Sequence, residues 1–163
     1  MKDKLKEIRP YIIIFLTVIL VRTFFYTPIR VNGASMEPTL IDKEIMVLDK
    51  ISPKISGLKR FEIIVLKTGN SYLIKRIIGL PGETIKYEDN KLFINGKIIK
   101  DPYTNNFETD YPEKKIPKDE YFVLGDNRGY SKDSRMIGTI SKKEIIGKTS
   151  IIIFPFNKIG IAK

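Results

Sequence analysis

Residues 61–78 read FEIIVLKTGNSYLIKRII, two β-branched runs separated by a short polar segment. The runs 61–66 and 72–78 are rich in Ile, Val and Leu, which favour strands. The segment 67–71 contains Gly and Asn, which favour a turn. This stretch therefore predicts a β-hairpin, and the rest of the chain has to supply the strands that pair with it.

Further short strands are predicted on both sides of this hairpin. They cover 44–49, 84–87, 91–94, 97–99, 120–124 and 145–154. Asn95-Gly96 is a strong signal for a tight hairpin turn. Residues 101–119 contain three prolines and scattered apolar residues, so we expect a long surface loop there. The predicted fold class is mainly β, a coiled antiparallel sheet of barrel-like form, in one domain of roughly 130 residues.

The N-terminal segment differs from this pattern. Residues 1–9 carry four basic and two acidic side chains, and an apolar run follows. We expect residues 1–9 to be cytoplasmic, 10–26 to form a transmembrane helix and 27–163 to lie outside the membrane. The 16 residues 11–26 cover about 24 Å as a helix, slightly less than the roughly 30 Å of a bilayer core. A cleavable signal peptide, a buried core helix and a helix in the membrane plane remain open alternatives.

Composition limits the chemistry that is possible. The chain has no histidine and no cysteine, which excludes Ser-His and Cys-His nucleophiles and removes the usual imidazole and thiolate metal ligands. No metal or cofactor is expected. The net charge of +10 favours anionic partners, either lipid headgroups or nucleic acid. With an apolar N-terminal segment present, membrane lipids are the favoured partner.

Ser35 is the candidate nucleophile. Gly33 and Ala34 precede it and leave its hydroxyl sterically open. Pro38 stiffens the segment, so the backbone N–H of Ser35 can be fixed toward an oxyanion. Without histidine another base is needed, and lysine is the attested substitute. The alternative is an ordinary serine in a turn.

Lys75 is the candidate base, because it lies inside the apolar second run of the hairpin. Alternation places it on one face of the strand and Arg76 on the other. Desolvation favours the neutral amine, and half neutrality near pH 8 requires its pKa to fall by roughly 2.4 units, at about 3 kcal/mol. The alternative is a strand lysine whose ammonium reaches solvent.

Three stretches together resemble conserved boxes of the type I signal peptidases. They are SMEPTL at 35–40, YLIKRIIGLPGE at 72–83, and GDNR at 125–128 followed by Ser131, Asp133, Ser134 and Arg135. A weaker fourth box matches 44–47. The resemblance implies a Ser-Lys dyad endopeptidase that removes signal peptides from exported preproteins, cutting after small side chains. It implies that 27–163 is a catalytic domain on the extracytoplasmic side of the cytoplasmic membrane.

The same resemblance implies a role for each matching residue. Ser35 is the expected nucleophile, Lys75 the expected general base, and Ser131 the expected hydrogen-bond partner of that lysine. Asp133 and Arg135 are expected to form a supporting ion pair, which their spacing of two in an extended segment also allows. Asp126 and Arg128 are expected to brace a turn, and Arg76 is a further supporting residue.

Two features depart from the family pattern. Many relatives carry a serine that helps to bind the oxyanion where this chain has Gly33, so the oxyanion hole is expected to rest on the Ser35 N–H and another donor. Only about 40 residues separate Gly82 from Gly125, which implies the compact form typical of Gram-positive bacteria.

Three other functions remain open from the sequence. A soluble self-cleaving regulator can use the same dyad, although no DNA-binding helices are evident. A catalytically silent, membrane-anchored β module would keep the boxes for packing only. A basic domain for single-stranded nucleic acid is disfavoured, because the aromatic residues are not clustered with arginines on one strand pair.

Overall fold

The computed structural model describes residues 2–103 and 110–162, with the side chains of the first helix described from residue 7 onward. Helix α1 spans Lys2–Phe24 and contains Pro10. Its described side chains are exposed along the whole helix. Among the described residues, no helix is long and apolar enough to cross a membrane. The N-terminal helix was expected to end at residue 26, but it ends at Phe24. Tyr26 is the first residue of a strand and pairs with Asp49.

Twelve strands are found in the described residues. In chain order they are β1 (Tyr26–Arg30), β2 (Ile45–Asp49), β3 (Ile63–Thr68), β4 (Ser71–Gly79), β5 (Thr84–Glu88), β6 (Lys91–Ile94), β7 (Lys97–Ile99), β8 (Tyr111–Lys115), β9 (Glu120–Leu124), β10 (Ile140–Ser141), β11 (Ile145–Phe154) and β12 (Gly160–Ile161). Short helices α2 (Ser52–Ser56) and α3 (Ser134–Ile137) lie between strands. The mainly β prediction is confirmed.

The strands form two antiparallel sheets. The main sheet has the order β1-β2-β11-β3-β4-β9-β10, with β12 paired to β11. The second sheet has the order β7-β6-β5-β8. The predicted central hairpin is β3 and β4, in which Ile64 pairs with Lys75. Strand β11 lies between β2 and β3, so residues close to the end of the chain join the two halves of the main sheet.

The predicted surface loop at 101–119 is wrong for residues 111–115. These residues form β8, which pairs with β5 through Thr84 and Lys115. Pro112 argued against a strand, but β8 lies at the edge of its sheet, where a residue without an N–H is tolerated. The Tyr111 ring packs 5.0 Å from that of Phe122, which attaches the strand to the core. Residues 104–109 of the expected loop lie outside the described residues.

Within the described part of the chain, three buried apolar clusters hold the sheets together, and one of them supports the candidate nucleophile. It contains Val31, Met36, Leu40, Met46, Ile63 and Ile152, which come from the segment after β1 and from β2, β3 and β11. A second cluster lies beneath the smaller sheet and a third beneath β9 and β10. The segment that carries Ser35 therefore rests on the core of the main sheet.

Candidate active site

The segment between β1 and β2 presents Ser35 because the residues around it are anchored. Val31 donates its N–H to the Glu44 carbonyl at 2.8 Å, and Leu40 donates to the Met36 carbonyl at 2.9 Å. The side chains of Val31, Met36 and Leu40 are buried, whereas Ser35 is half-buried. Buried apolar side chains before and after Ser35 therefore fix its backbone, and the Ser35 side chain lines a cavity.

Lys75 reaches this hydroxyl from the neighbouring hairpin. Its Nζ donates to Ser35 Oγ at 2.7 Å and to the Ile74 carbonyl at 2.8 Å. The side chain is buried, with 2% of the residue's surface exposed. The two candidate residues are 40 positions apart in sequence and are brought together by the sheet.

The surroundings of Lys75 bring its neutral form within reach of physiological pH. Burial lowers the pKa of the Lys75 ammonium to about 8, and the carboxylates of Asp133 and Asp126 oppose that change. The dominant cause is the desolvation expected from the sequence. A neutral amine at 2.7 Å from a hydroxyl can accept its proton, as general-base catalysis requires.

The turn after β9 holds the Ser35 backbone from the other side. Asn127 donates its backbone N–H to the Ser35 carbonyl and its Nδ2 to the Ala34 carbonyl, both at 3.1 Å. Gly125 lies so close that a Cβ at this position would be 2.3 Å from the Ser35 carbonyl oxygen. Only glycine allows this approach, so the turn and the nucleophile segment fit each other closely.

Two buried arginines brace this turn. Arg76, directed to the opposite strand face from Lys75, donates to Asp126 through Nε at 2.8 Å and Nη2 at 2.6 Å. Arg128 donates through Nε to the Gly125 carbonyl at 3.0 Å. The bracing role expected for Asp126 and Arg128 agrees with these contacts, and the partner of Asp126 is Arg76.

Of the remaining residues matched to the family boxes, Asp133 and Arg135 form the expected contact and Ser131 does not. Asp133 and Arg135 form the predicted ion pair at 2.8 Å, and Asp133 also accepts the Gly125 N–H at 3.1 Å. The expected hydrogen bond between Ser131 and Lys75 is absent, and the Ser131 hydroxyl lies close to Gly125. Among the described residues this buried hydroxyl has no hydrogen-bond partner.

Gly33 adopts a conformation that favours glycine. Its φ is +87°, and a Cβ there would meet no atom within 4 Å. Its N–H donates to Asp42 Oδ1 at 2.9 Å and is therefore already paired. Of the donors expected for an oxyanion, the Ser35 N–H remains a candidate, and Gly33 offers no hydroxyl.

A cavity of about 470 Å³ opens in front of the Ser35–Lys75 pair. It lies between β1 with the following segment on one side and β4 on the other. β1 is at the end of the main sheet, so its outer edge is available to an extended peptide. The apolar side chains that line the cavity belong to Ile29, Val31, Met36, Leu48, Val65, Leu73, Ile74 and Ile146.

Comparison with known proteins shows the family to which the chain belongs. Residues 5–154 match the sequence profile of the family described as signal peptidase, peptidase S26. The chain belongs to this peptidase family. The resemblance noted in the sequence is therefore confirmed.

Two relatives and one solved structure illustrate the similarity. Signal peptidase I of Bacillus amyloliquefaciens is 41% identical over 164 residues, which cover 93% of this chain and 89% of the relative. Signal peptidase IB of Staphylococcus aureus (strain Mu50 / ATCC 700699) is 35% identical over 177 residues, covering 96% and 93%. A crystal structure of a signal peptidase I from Enterococcus faecalis V583 is 32% identical, with a TM-score of 0.49, over 56% of this chain and 95% of that chain.

Sequence reasoning missed several residues that shape the site of this signal peptidase family member. Asn127 stood inside a recognised box and could have been found there. Asp42 pairs with Gly33 across a nine-residue loop, which polar composition alone does not indicate. Asp101 and Tyr103 lie in the expected loop, and no local pattern indicates that they contact the two buried arginines.

Proposed function

We propose that this protein is a serine endopeptidase that removes signal peptides from exported preproteins, with Ser35 as nucleophile and Lys75 as general base. The observation that carries the proposal is the 2.7 Å contact between Lys75 Nζ and Ser35 Oγ, with the lysine buried and its pKa lowered to about 8. Family membership and the names of the relatives support the substrate class.

The substrate is an extended peptide that pairs with the outer edge of β1 and places its scissile carbonyl beside Ser35. Neutral Lys75 takes the hydroxyl proton as Oγ bonds to the carbonyl carbon, and the carbonyl electron pair becomes an oxyanion near the Ser35 N–H. Collapse of this intermediate breaks the C–N bond. The leaving amine takes the proton from the Lys75 ammonium, and an acyl-enzyme remains.

Hydrolysis repeats these steps with water as the nucleophile. Neutral Lys75 takes a proton from water, the hydroxide attacks the acyl carbon, and Ser35 regains its proton as it leaves. The apolar walls of the cavity suit apolar substrate side chains before the cut, and the preference for small ones rests on the family resemblance. Asp133, Arg135, Asp126 and Arg76 act in this proposal by holding the turn after β9 against the Ser35 segment.

The proposal places the protein at the cytoplasmic membrane, with its catalytic domain on the extracytoplasmic side. Helix α1 supports this location because its apolar side chains are exposed on every side; Phe15 and Phe24 are 64% and 63% exposed. Arg9 and Arg22 bound the uncharged part of the helix, and the net charge of +10 favours anionic lipid headgroups.

The test of the chemistry is cleavage of a synthetic signal-peptide substrate by the wild type, Ser35→Ala and Lys75→Ala. Both variants are expected to lose cleavage almost completely, because each removes one of the two groups that react in the proposal. Matched controls are Ser71→Ala and Lys67→Ala, exposed residues of the same hairpin, which should retain wild-type rates. Near-normal cleavage by either dyad variant would disprove the dyad.

The test of the location is membrane fractionation. The full chain is expected to sediment with membranes, and a variant that lacks residues 2–24 is expected to appear in the soluble fraction. Protease added to intact spheroplasts should digest the catalytic domain. A catalytic domain that is protected until the cells are lysed would contradict the proposed orientation.

A further inference from the structure

Beside the catalytic turn lies a cluster that none of the recognised boxes contains. Asp101 Oδ2 accepts hydrogen bonds from Arg128 Nη2 at 2.6 Å and from the Tyr87 hydroxyl at 2.7 Å. Asp101 Oδ1 accepts the backbone N–H of Tyr103 at 3.0 Å. One carboxylate therefore joins β5 of the second sheet, the segment after β7 and the turn that holds Ser35.

Tyr103 extends this cluster to the second buried arginine. The guanidinium carbon of Arg76 lies 3.4 Å from the centroid of the Tyr103 ring, a short cation–π contact. Phe61 packs against the same ring at 5.7 Å, and its carbonyl accepts Arg76 Nη1 at 2.7 Å. Residues Tyr87, Asp101 and Tyr103, here called the latch, therefore contact both arginines that brace the 125–128 turn.

The charges in this cluster are costly to bury. The Arg128 and Asp101 side chains are 0% and 2% exposed, and those of Arg76 and Asp126 are both 2% exposed. A buried ion pair contributes little net stability compared with apolar side chains of the same volume, because both ions lose their hydration. Such a pair does provide a fixed geometry, because the hydrogen bonds between guanidinium and carboxylate are directional.

The geometry that is fixed here is that of the nucleophile. Arg128 and Arg76 hold Gly125 and Asp126, and the next residue, Asn127, donates two hydrogen bonds to the carbonyls of Ala34 and Ser35. The described residues that line the substrate cavity do not include the latch or the turn. A loosened latch would therefore misplace Ser35 relative to Lys75 without changing the apolar side chains that line the cavity.

We propose that Asp101 and Tyr103 are positioning residues for the peptidase reaction, through which the second sheet holds the 125–128 turn against the Ser35 backbone. This inference rests on the proposed function for its effect on catalysis. It assigns a role in the reaction to the second sheet, which otherwise contributes no side chain to the described lining of the cavity.

The test uses the full chain and the variants Asp101→Asn and Tyr103→Leu. Each is expected to lower kcat for a synthetic signal peptide by about tenfold or more, since small misplacements of reacting groups have large effects on rate. KM should stay within about twofold of the wild type, because the cavity is unchanged. Tyr103→Phe keeps the ring over Arg76 and should retain the wild-type kcat.

A second measurement does not depend on cleavage. Hydrogen exchange of the Asn127 amide, which donates to Ser35, is expected to be at least about tenfold faster in Asp101→Asn and Tyr103→Leu. The Val65 amide in β3 should be unaffected. If the wild type does not cleave signal peptides, the proposed function fails, and the exchange of Asn127 still decides whether the latch holds the turn.

Leu92→Ala is the control for a purely structural effect. Leu92 is buried in the core of the second sheet and pairs with Tyr87, so its truncation destabilises that sheet while Asp101 and Tyr103 keep their contacts with the two arginines. At temperatures well below its Tm this variant should keep its kcat. The proposal is overturned if Asp101→Asn and Tyr103→Leu keep both the wild-type kcat and the wild-type protection of the Asn127 amide. It is also overturned if Leu92→Ala, with a Tm as low as that of the two variants, shows the same loss of kcat.

Discussion

Replacement of Lys75 by methionine tests the energetic cost of the buried amine. The pKa of Lys75 is lowered from its ordinary value of 10.5 to about 8 by burial. Below pH 8 the lysine is charged in both the folded and the unfolded chain, and the folded state bears the full cost of desolvation. Between pH 8 and 10.5 only the unfolded chain holds the proton, so the stability of the wild type rises with pH.

The size of the effect follows from the two pKa values. The difference between 10.5 and about 8, at about 1.36 kcal/mol per pH unit, corresponds to about 3.4 kcal/mol for the complete transition. Most of this change falls between pH 7 and pH 10, where linkage gives about 2.5 kcal/mol. Lys75→Met removes the titrating group. The difference in free energy of unfolding between this variant and the wild type should therefore shrink by about 2.5 kcal/mol from pH 7 to pH 10.

Urea unfolding of the wild type and Lys75→Met at pH 7, 8, 9 and 10 measures the difference directly. Lys67→Met, at an exposed position of β3, is the control for loss of a lysine without loss of a buried charge. Lys67→Met should show no pH-dependent difference of this size. A constant difference between the wild type and Lys75→Met from pH 7 to pH 10 would refute the assignment of a buried amine that becomes neutral near pH 8.

Three further outcomes are expected. Signal-peptide cleavage by the wild type should rise about tenfold between pH 7 and pH 9, because the neutral fraction of Lys75 rises through its pKa of about 8. Gly125→Ala should lower kcat by about 100-fold, since its Cβ would lie 2.3 Å from both the Ser131 hydroxyl and the Ser35 carbonyl. Asp126→Asn should lower the free energy of unfolding by about 3–5 kcal/mol, measured in urea, because buried Arg76 would lose its carboxylate partner.

Each of these outcomes has its own check. A cleavage rate that is flat from pH 7 to pH 9 would exclude Lys75 as the titrating base. Wild-type activity of Gly125→Ala would mean that the turn does not constrain the Ser35 backbone. For Asp126→Asn the control is Glu88→Gln, which breaks the exposed Lys86–Glu88 pair and should leave stability nearly unchanged; an equally small effect at Asp126 would contradict the bracing role.

The central hairpin and the Ser35–Lys75 pair were predictable because their signals are local. Strand propensity alternates with turn residues at 61–78, and an isolated lysine within an apolar run indicates desolvation. Because the chain has no histidine, lysine is the attested alternative as the base. The contact at 2.7 Å agrees with this reasoning, although the two residues lie 40 positions apart.

Features that depend on distant partners were not predictable. Strand β8 is polar and contains Pro112, so only its pairing with β5 and the packing of Tyr111 reveal it as a strand. The latch residue Asp101 contacts Arg128, 27 positions away. The hydrogen bond expected between Ser131 and Lys75 is not formed, because a matched motif does not fix whether two side chains come within hydrogen-bond distance.

The place of β11 in the main sheet has a consequence for biosynthesis. Residues 145–154 pair with β2 on one side and β3 on the other, so the sheet that holds Ser35 and Lys75 is joined only when this late segment arrives. A nascent chain that has not yet released this segment from the ribosome lacks the strand between its two halves. The enzyme should therefore acquire activity only after residues 145–154 have left the ribosome.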